Sequence, residues 1–129
     1  MTDDAMVLIG EDEPDNQVIL QTVVEALVGV RAQVAGDGLA VLASVERERP
    51  RVILLDLMLP GLDGFQVARQ LKGDPATRAI PIVAVSAMAR PDDREAALAA
   101  GCDDFLRKPF ELDDLEALIK KYLTNGAPS

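Results

Sequence analysis

Histidine is absent from this chain of 129 residues, which removes Ser-His-Asp triads, Cys-His pairs, imidazole general bases and most zinc chemistry together. Any histidine in its mechanism must come from a partner. A single cysteine, Cys102, excludes an internal disulfide, and its neighbours Gly101 and Asp103 offer no second thiol or imidazole for a metal. It reads as a small buried or half-buried residue. Positive charge is scarce too: 13 Lys and Arg against 22 Asp and Glu leave a net charge of −9. A nucleic-acid backbone is held mainly by Lys and Arg that displace its counterions, so direct nucleic-acid binding is not expected. No continuous apolar stretch is long enough to span a membrane, and the acidic start Met1-Thr2-Asp3-Asp4 lacks the basic opening of a secretory signal. The expected location is the cytoplasm, away from the membrane.

What is present is the composition of an ordinary globule, with 49% apolar and 27% charged residues. A chain of this length buries about two-thirds of its unfolded surface. One domain over residues 1–129 is expected, with its core at about 6–123, a polar tail at 124–129, and no internal repeat or linker. Apolar runs and helical periods alternate along it. Met6 to Gly10 reads as a strand, and Pro14 starts a helix in which Val18, Ile19, Val23, Val24 and Leu27 recur at helical spacing. Arg31 to Ala35 is a weaker strand, and Asp37-Gly38 opens a helix with Leu39, Leu42 and Val45 on one face. Val52 to Leu55 is short and uniformly apolar, as a central strand covered on both faces must be. A turn at Pro60 to Gly64 leads to a helix carrying Phe65, Val67, Ala68 and Leu71, closed by Gly73-Asp74-Pro75. Ile80 to Val85 is the fourth strand, Pro91-Asp92-Asp93 begins the fourth helix, and Gly101 stops it. Asp103 to Arg107 is the fifth strand, before a last helix with Leu112, Leu115, Leu118, Ile119 and Leu123 inward.

Five such units imply an α/β fold, a doubly wound parallel sheet with helices on both faces, in which ligands bind beyond the carboxyl ends of the strands. Glu11-Asp12, Asp56, Ser86 and Lys108 all follow strands and so converge on one rim. Carboxylates crowded there repel one another unless a cation sits among them, and Mg²⁺ suits Asp12 and Asp56 with Glu11 in support. An aspartate so placed can attack phosphorus to give an acyl phosphate, with Lys108 as a second cationic clamp and Ser86 donating its hydroxyl to a phosphoryl oxygen. Taken singly, each of these residues is as readily a solvated strand-end charge or a turn residue. Their order at matching strand ends carries the functional reading.

The motifs Val7-Leu8-Ile9-Gly10-Glu11-Asp12-Glu13-Pro14, Ile53 to Gly64, Pro81 to Ala87 and Gly101 to Phe110 resemble the receiver domains of two-component response regulators, over roughly residues 6 to 123. The resemblance implies a flavodoxin-like five-stranded sheet in the order 2-1-3-4-5. It implies that Asp56 accepts a phosphoryl group from a phosphohistidine on a sensor histidine kinase or phosphotransfer protein. It further implies that Asp12, Asp56 and the Met58 backbone carbonyl bind Mg²⁺ or Mn²⁺, with Glu11 reaching the ion through water. By the same resemblance Lys108 would contact the phosphoryl group, and its bond to Pro109 would be cis. The resemblance also implies that Ser86 would move toward the phosphoryl oxygen, Phe105 would turn inward, and the face of helix four, strand five and helix five would change shape for a downstream protein target. Phe105 is otherwise a plain core aromatic.

Met58 and Met88, two residues after Asp56 and Ser86, are either gap fillers or a thioether cover that excludes water and prolongs the phosphorylated state. Rival readings are a phosphohydrolase working through an aspartyl phosphate, a non-phosphorylated pseudo-receiver that only docks partners, and a receiver excised from a larger hybrid kinase or regulator. The first is disfavoured because Met58 stands where such hydrolases usually carry a second aspartate. The expected protein is a signalling phosphoacceptor rather than an enzyme with turnover, monomeric or dimerising on phosphorylation.

Overall fold

Successive residues of a strand face opposite sides of the sheet, and here that alternation builds two separate halves of the core. The computed structural model describes residues 5–87 and 90–125. Along β1 (Met6–Gly10), Met6 and Leu8 enter one apolar cluster while Val7 and Ile9 enter the other. In β3 (Val52–Leu55), Ile53 and Leu55 oppose Val52 and Leu54, and in β4 (Ile82–Ser86), Ile82 and Ala84 oppose Val83 and Val85. Strands buried on both faces must be apolar at every position, which is why these segments read as unbroken apolar runs.

With β2 (Arg31–Ala35) and β5 (Asp104–Arg107) at the edges, the sheet runs β2-β1-β3-β4-β5 with every pair parallel. This is the flavodoxin-like doubly wound order that the resemblance implied. The chain leaves β1 toward one edge and returns to its other side, opening a crevice at the carboxyl ends of β1 and β3.

One face is covered by α2 (Gly38–Arg47), α3 (Gly64–Gly73) and α4 (Pro91–Ala99), through Val41, Val45, Val67, Ala68, Leu71 and Ala97. The other is covered by α1 (Pro14–Thr22) and α5 (Leu112–Asn125), through Leu20, Leu115 and Ile119. At Val23 the first helix widens into a π turn, Val23–Val28, which buries the consecutive Val23 and Val24 and ends at Gly29 with φ of +87°. No helix among the described residues is long and apolar enough to cross a membrane.

Several local expectations need correction. Val18, Ile19 and Leu27 keep helical spacing but are exposed, and Leu20 turns inward instead. Leu39 is 68% exposed, and Val41, Ser44 and Val45 make the inner face of α2. The cause lies at Gly38, where a Cβ would meet the Leu62 carbonyl oxygen at 2.0 Å, so α2 rests on this glycine and the next residue points away. Leu112 is also exposed, at the first position of α5. The fourth strand starts at Ile82 rather than Ile80, because Ile80 donates to Thr77 in a turn and Pro81 has no N–H for the ladder. The fifth starts at Asp104; Asp103 before it donates its N–H to the Ile82 carbonyl at 2.7 Å, while its carboxylate receives the Lys72 ammonium at 2.9 Å and the Ile82 N–H at 2.8 Å. The last helix reaches Asn125, and Met88 and residues 126–129 lie outside the described residues. Cys102 is buried as expected, and burial together with the Asp103 charge pushes its thiol up to about 11.

Candidate functional site

Parallel pairing brings the carboxyl ends of β1, β3, β4 and β5 side by side, and the residues just beyond them carry the charges. Glu11 extends the β1 ladder by one bond, its N–H donating to the Ala35 carbonyl at 3.0 Å, and is fully buried. Its Oε1 accepts from Lys108 Nζ at 2.7 Å and its Oε2 from the Glu13 N–H at 3.1 Å. Asp12, the next residue, is exposed.

Asp56 follows β3 and is held at three points. Its N–H donates to the Gly10 carbonyl at 2.8 Å, its Oδ1 accepts from the Met58 N–H at 2.9 Å, and its Oδ2 accepts from Lys108 Nζ at 3.1 Å. Lys108 follows β5, where its N–H donates to the Ser86 carbonyl at 2.9 Å and its peptide bond to Pro109 is cis. Residues 52 and 97 positions apart from Lys108 thus meet on one ammonium.

The electrostatics follow from this crowding. Burial alone would lower the Lys108 pKa, but the hydrogen bonds to Glu11 and Asp56 and the charges of both outweigh it, and the pKa rises above its ordinary value. Carboxylate oxygens of Glu11, Asp12 and Asp56 lie within 4.8 Å of one another. Three carboxylates around one ammonium leave an excess of negative charge. The donor set is oxygen only, without imidazole or thiolate, and it fits a hard divalent cation such as Mg²⁺. Asp12 faces solvent, where a cation that keeps part of its water shell can be held.

Ser86 is buried at the end of β4, and Phe105, opposite Ala84 in the ladder, is half-buried at the margin of the first core cluster. Met58 is 63% exposed beside Asp56. A groove of about 360 Å³ between α1 and the loop before α5 adjoins Lys108 and is lined largely by Ile19, Pro109, Phe110 and Leu112.

Three contributors escaped the sequence reading. Gly64 begins α3 directly against the site, its N–H donating to Leu57 at 3.0 Å, and a Cβ there would lie 2.5 Å from the Asp56 carbonyl oxygen. In sequence it is one more turn glycine. Asp63 fixes the same helix start through a reciprocal cap with Gln66, at 2.9 and 3.1 Å. Gln17, on α1, donates from Nε2 to the Glu11 carbonyl at 2.7 Å, a contact that no spacing rule signals.

Comparison with known proteins agrees with this geometry. Residues 7–120 match the family model of the response regulator receiver domain. The response regulator PleD of Caulobacter vibrioides is 41% identical over 107 residues, which cover 83% of this chain. The chain spans only 23% of PleD's length. A 14.6 kDa protein of Leptolyngbya boryana is 33% identical, with 90% of this chain and 88% of that protein covered. Among solved structures, the receiver domain of the sensor histidine kinase PA1611 from Pseudomonas aeruginosa, with magnesium coordinated in its active-site cleft, superposes with a TM-score of 0.86. That likeness covers 95% of this chain and 100% of that one, at 34% identity.

Proposed function

The chain belongs to the response regulator receiver domain family, and on that premise we propose that it carries a signal as a phosphoryl group on Asp56. The observation that carries this reading is the double hold on the Asp56 carboxylate, by the Met58 N–H on Oδ1 and by Lys108 on Oδ2. The hold orients the group, and Oδ2 is the oxygen nearest the cation that must take up charge from the incoming phosphoryl group. Oδ2 attacks phosphorus, the P–N bond of a phosphohistidine on a sensor kinase or phosphotransfer protein breaks, and its electron pair leaves with the partner's imidazole. The absence of histidine from this chain fits that division of labour.

Asp12, Asp56 and the Met58 backbone carbonyl are the proposed ligands of Mg²⁺, or of Mn²⁺ in its place, with Glu11 acting through water. When bound, the ion neutralises charge on the transferring group. Lys108 shifts from the carboxylates toward the phosphoryl oxygens, where Ser86 donates its hydroxyl. Phe105 follows Ser86, and the face built by α4, β5 and α5 then presents a different surface to a downstream protein. The groove that Lys108 helps to line offers the donor an apolar seat beside the site. In this reading the protein is a cytoplasmic signalling component that assists its own phosphorylation, and it does not turn over an external substrate. Its relation to PleD, of which it spans 23%, favours a second reading in which the same receiver is one module of a longer regulator.

Incubation with acetyl phosphate and Mg²⁺ tests the chemistry. Intact-protein mass should rise by one phosphoryl group, and both EDTA and Asp56→Asn should abolish the gain. Steady release of phosphate from ordinary phosphomonoesters would point to a hydrolase instead, and partner binding unchanged by Asp56→Asn would point to a pseudo-receiver.

A further inference from the structure

Magnesium tolerates little error in its ligands, because it demands near-octahedral geometry and gives up water reluctantly. Of the carboxylates here, Asp12 has the least support. Asp56 is fixed at both oxygens and Glu11 is buried and bonded at both of its own, whereas Asp12 is exposed and sits in the turn between β1 and α1. Something must hold that turn.

From the geometry we infer that Gln17 is a positioning residue for the metal site, acting through the Glu11–Asp12 peptide; this rests on the receiver reading above. Its Nε2 donates to the Glu11 carbonyl at 2.7 Å. A peptide unit is planar, so fixing that oxygen also fixes where the Asp12 Cα departs. The peptide planes on either side of it are held by the Glu11 N–H, which donates to Ala35 at 3.0 Å, and by the Glu13 N–H, which donates to Glu11 Oε2 at 3.1 Å. Gln17 is itself anchored one turn into α1, its N–H donating to the Glu13 carbonyl at 2.9 Å. The amide therefore ties helix to turn and keeps the solvent-facing Asp12 carboxylate within 4.8 Å of its two partners.

The contact does not involve a charged group, a ligand atom or the phosphoryl path, so its loss should change metal affinity before it changes anything else. Gln17→Met keeps the length and packing of the side chain while removing the donor. Gln17→Asn keeps the amide but is one methylene too short to reach. Both should weaken Mg²⁺ binding by about three- to tenfold, the factor expected for one neutral hydrogen bond. Calorimetric titration of metal-free protein with MgCl₂ reads this directly, alongside the melting temperature without metal. The expected result is weaker binding in both variants, a smaller Mg²⁺-induced rise in Tm, and little change in Tm without metal. Equal Mg²⁺ affinity in wild type and both variants overturns the inference, as does a loss confined to metal-free stability. Absence of Mg²⁺ binding in the wild type would instead overturn the receiver reading, so the two failures are distinguishable.

Discussion

Removing the Lys108 ammonium leaves Glu11, fully buried, without the cation that its Oε1 meets at 2.7 Å. Lys108→Met keeps the aliphatic stem, so the loss isolates the charge. Breaking a buried pair from one side costs about 3 kcal/mol, and urea unfolding in EDTA should show a loss of that size. Saturating Mg²⁺ should recover part of it, because the ion relieves the same repulsion; a loss identical with and without Mg²⁺ would contradict the charge balance described here. The sign with pH is also fixed. A lysine whose pKa rises on folding contributes stability that is fully present below the ordinary 10.5 and is lost as pH climbs through the raised value. Under the proposed function, Met58, 63% exposed next to Asp56, would bear on the lifetime of the phosphorylated state. An apolar thioether there cannot orient a water, so Met58→Asn should shorten that lifetime, read as decay of the phosphorylated mass after donor removal. An unchanged decay would make Met58 a simple gap filler.

Helix α3 begins where Gly64 lies against the Asp56 carbonyl, so its position and that of Asp56 are coupled. Gly64→Ala places a Cβ 2.5 Å from that oxygen and 2.6 Å from Leu57 Cα, neither of which can yield without moving the loop. Overpacking of this kind costs about 1–3 kcal/mol, and the variant should melt lower and accept phosphate more slowly from acetyl phosphate. Wild-type stability together with a wild-type labelling rate would show that the loop adapts freely. This contact marks the limit of what the sequence discloses. The inner strands were legible because burial on both faces forces apolar residues at Val52 to Leu55, and α1 because Pro14 announces its start. Helix faces were less legible: Leu39 and Leu112 carry the right side chains, but their exposure is decided by where α2 and α5 meet the sheet. The charged residues of the site could be named from their place after strands. That Glu11 and Asp56 share one ammonium, and that Gln17 reaches the Glu11 carbonyl, required the third dimension.

Across the molecule, the parallel order β2-β1-β3-β4-β5 gathers onto one rim residues that the chain scatters from Glu11 to Lys108. The chain carries a net charge of −9, and it is at this rim that its acids are used to hold one cation and invite another. The proposed function assigns the phosphohistidine donor to a partner, in keeping with the absence of histidine here, and the acyl phosphate to this chain. That assignment has a chemical signature, since borohydride reduces an aspartyl phosphate to a stable alcohol that peptide mapping can place. After incubation with acetyl phosphate, the account predicts Mg²⁺-dependent reduction at Asp56 and nowhere else. Trapping at another residue, or none in the presence of Mg²⁺, would contradict it.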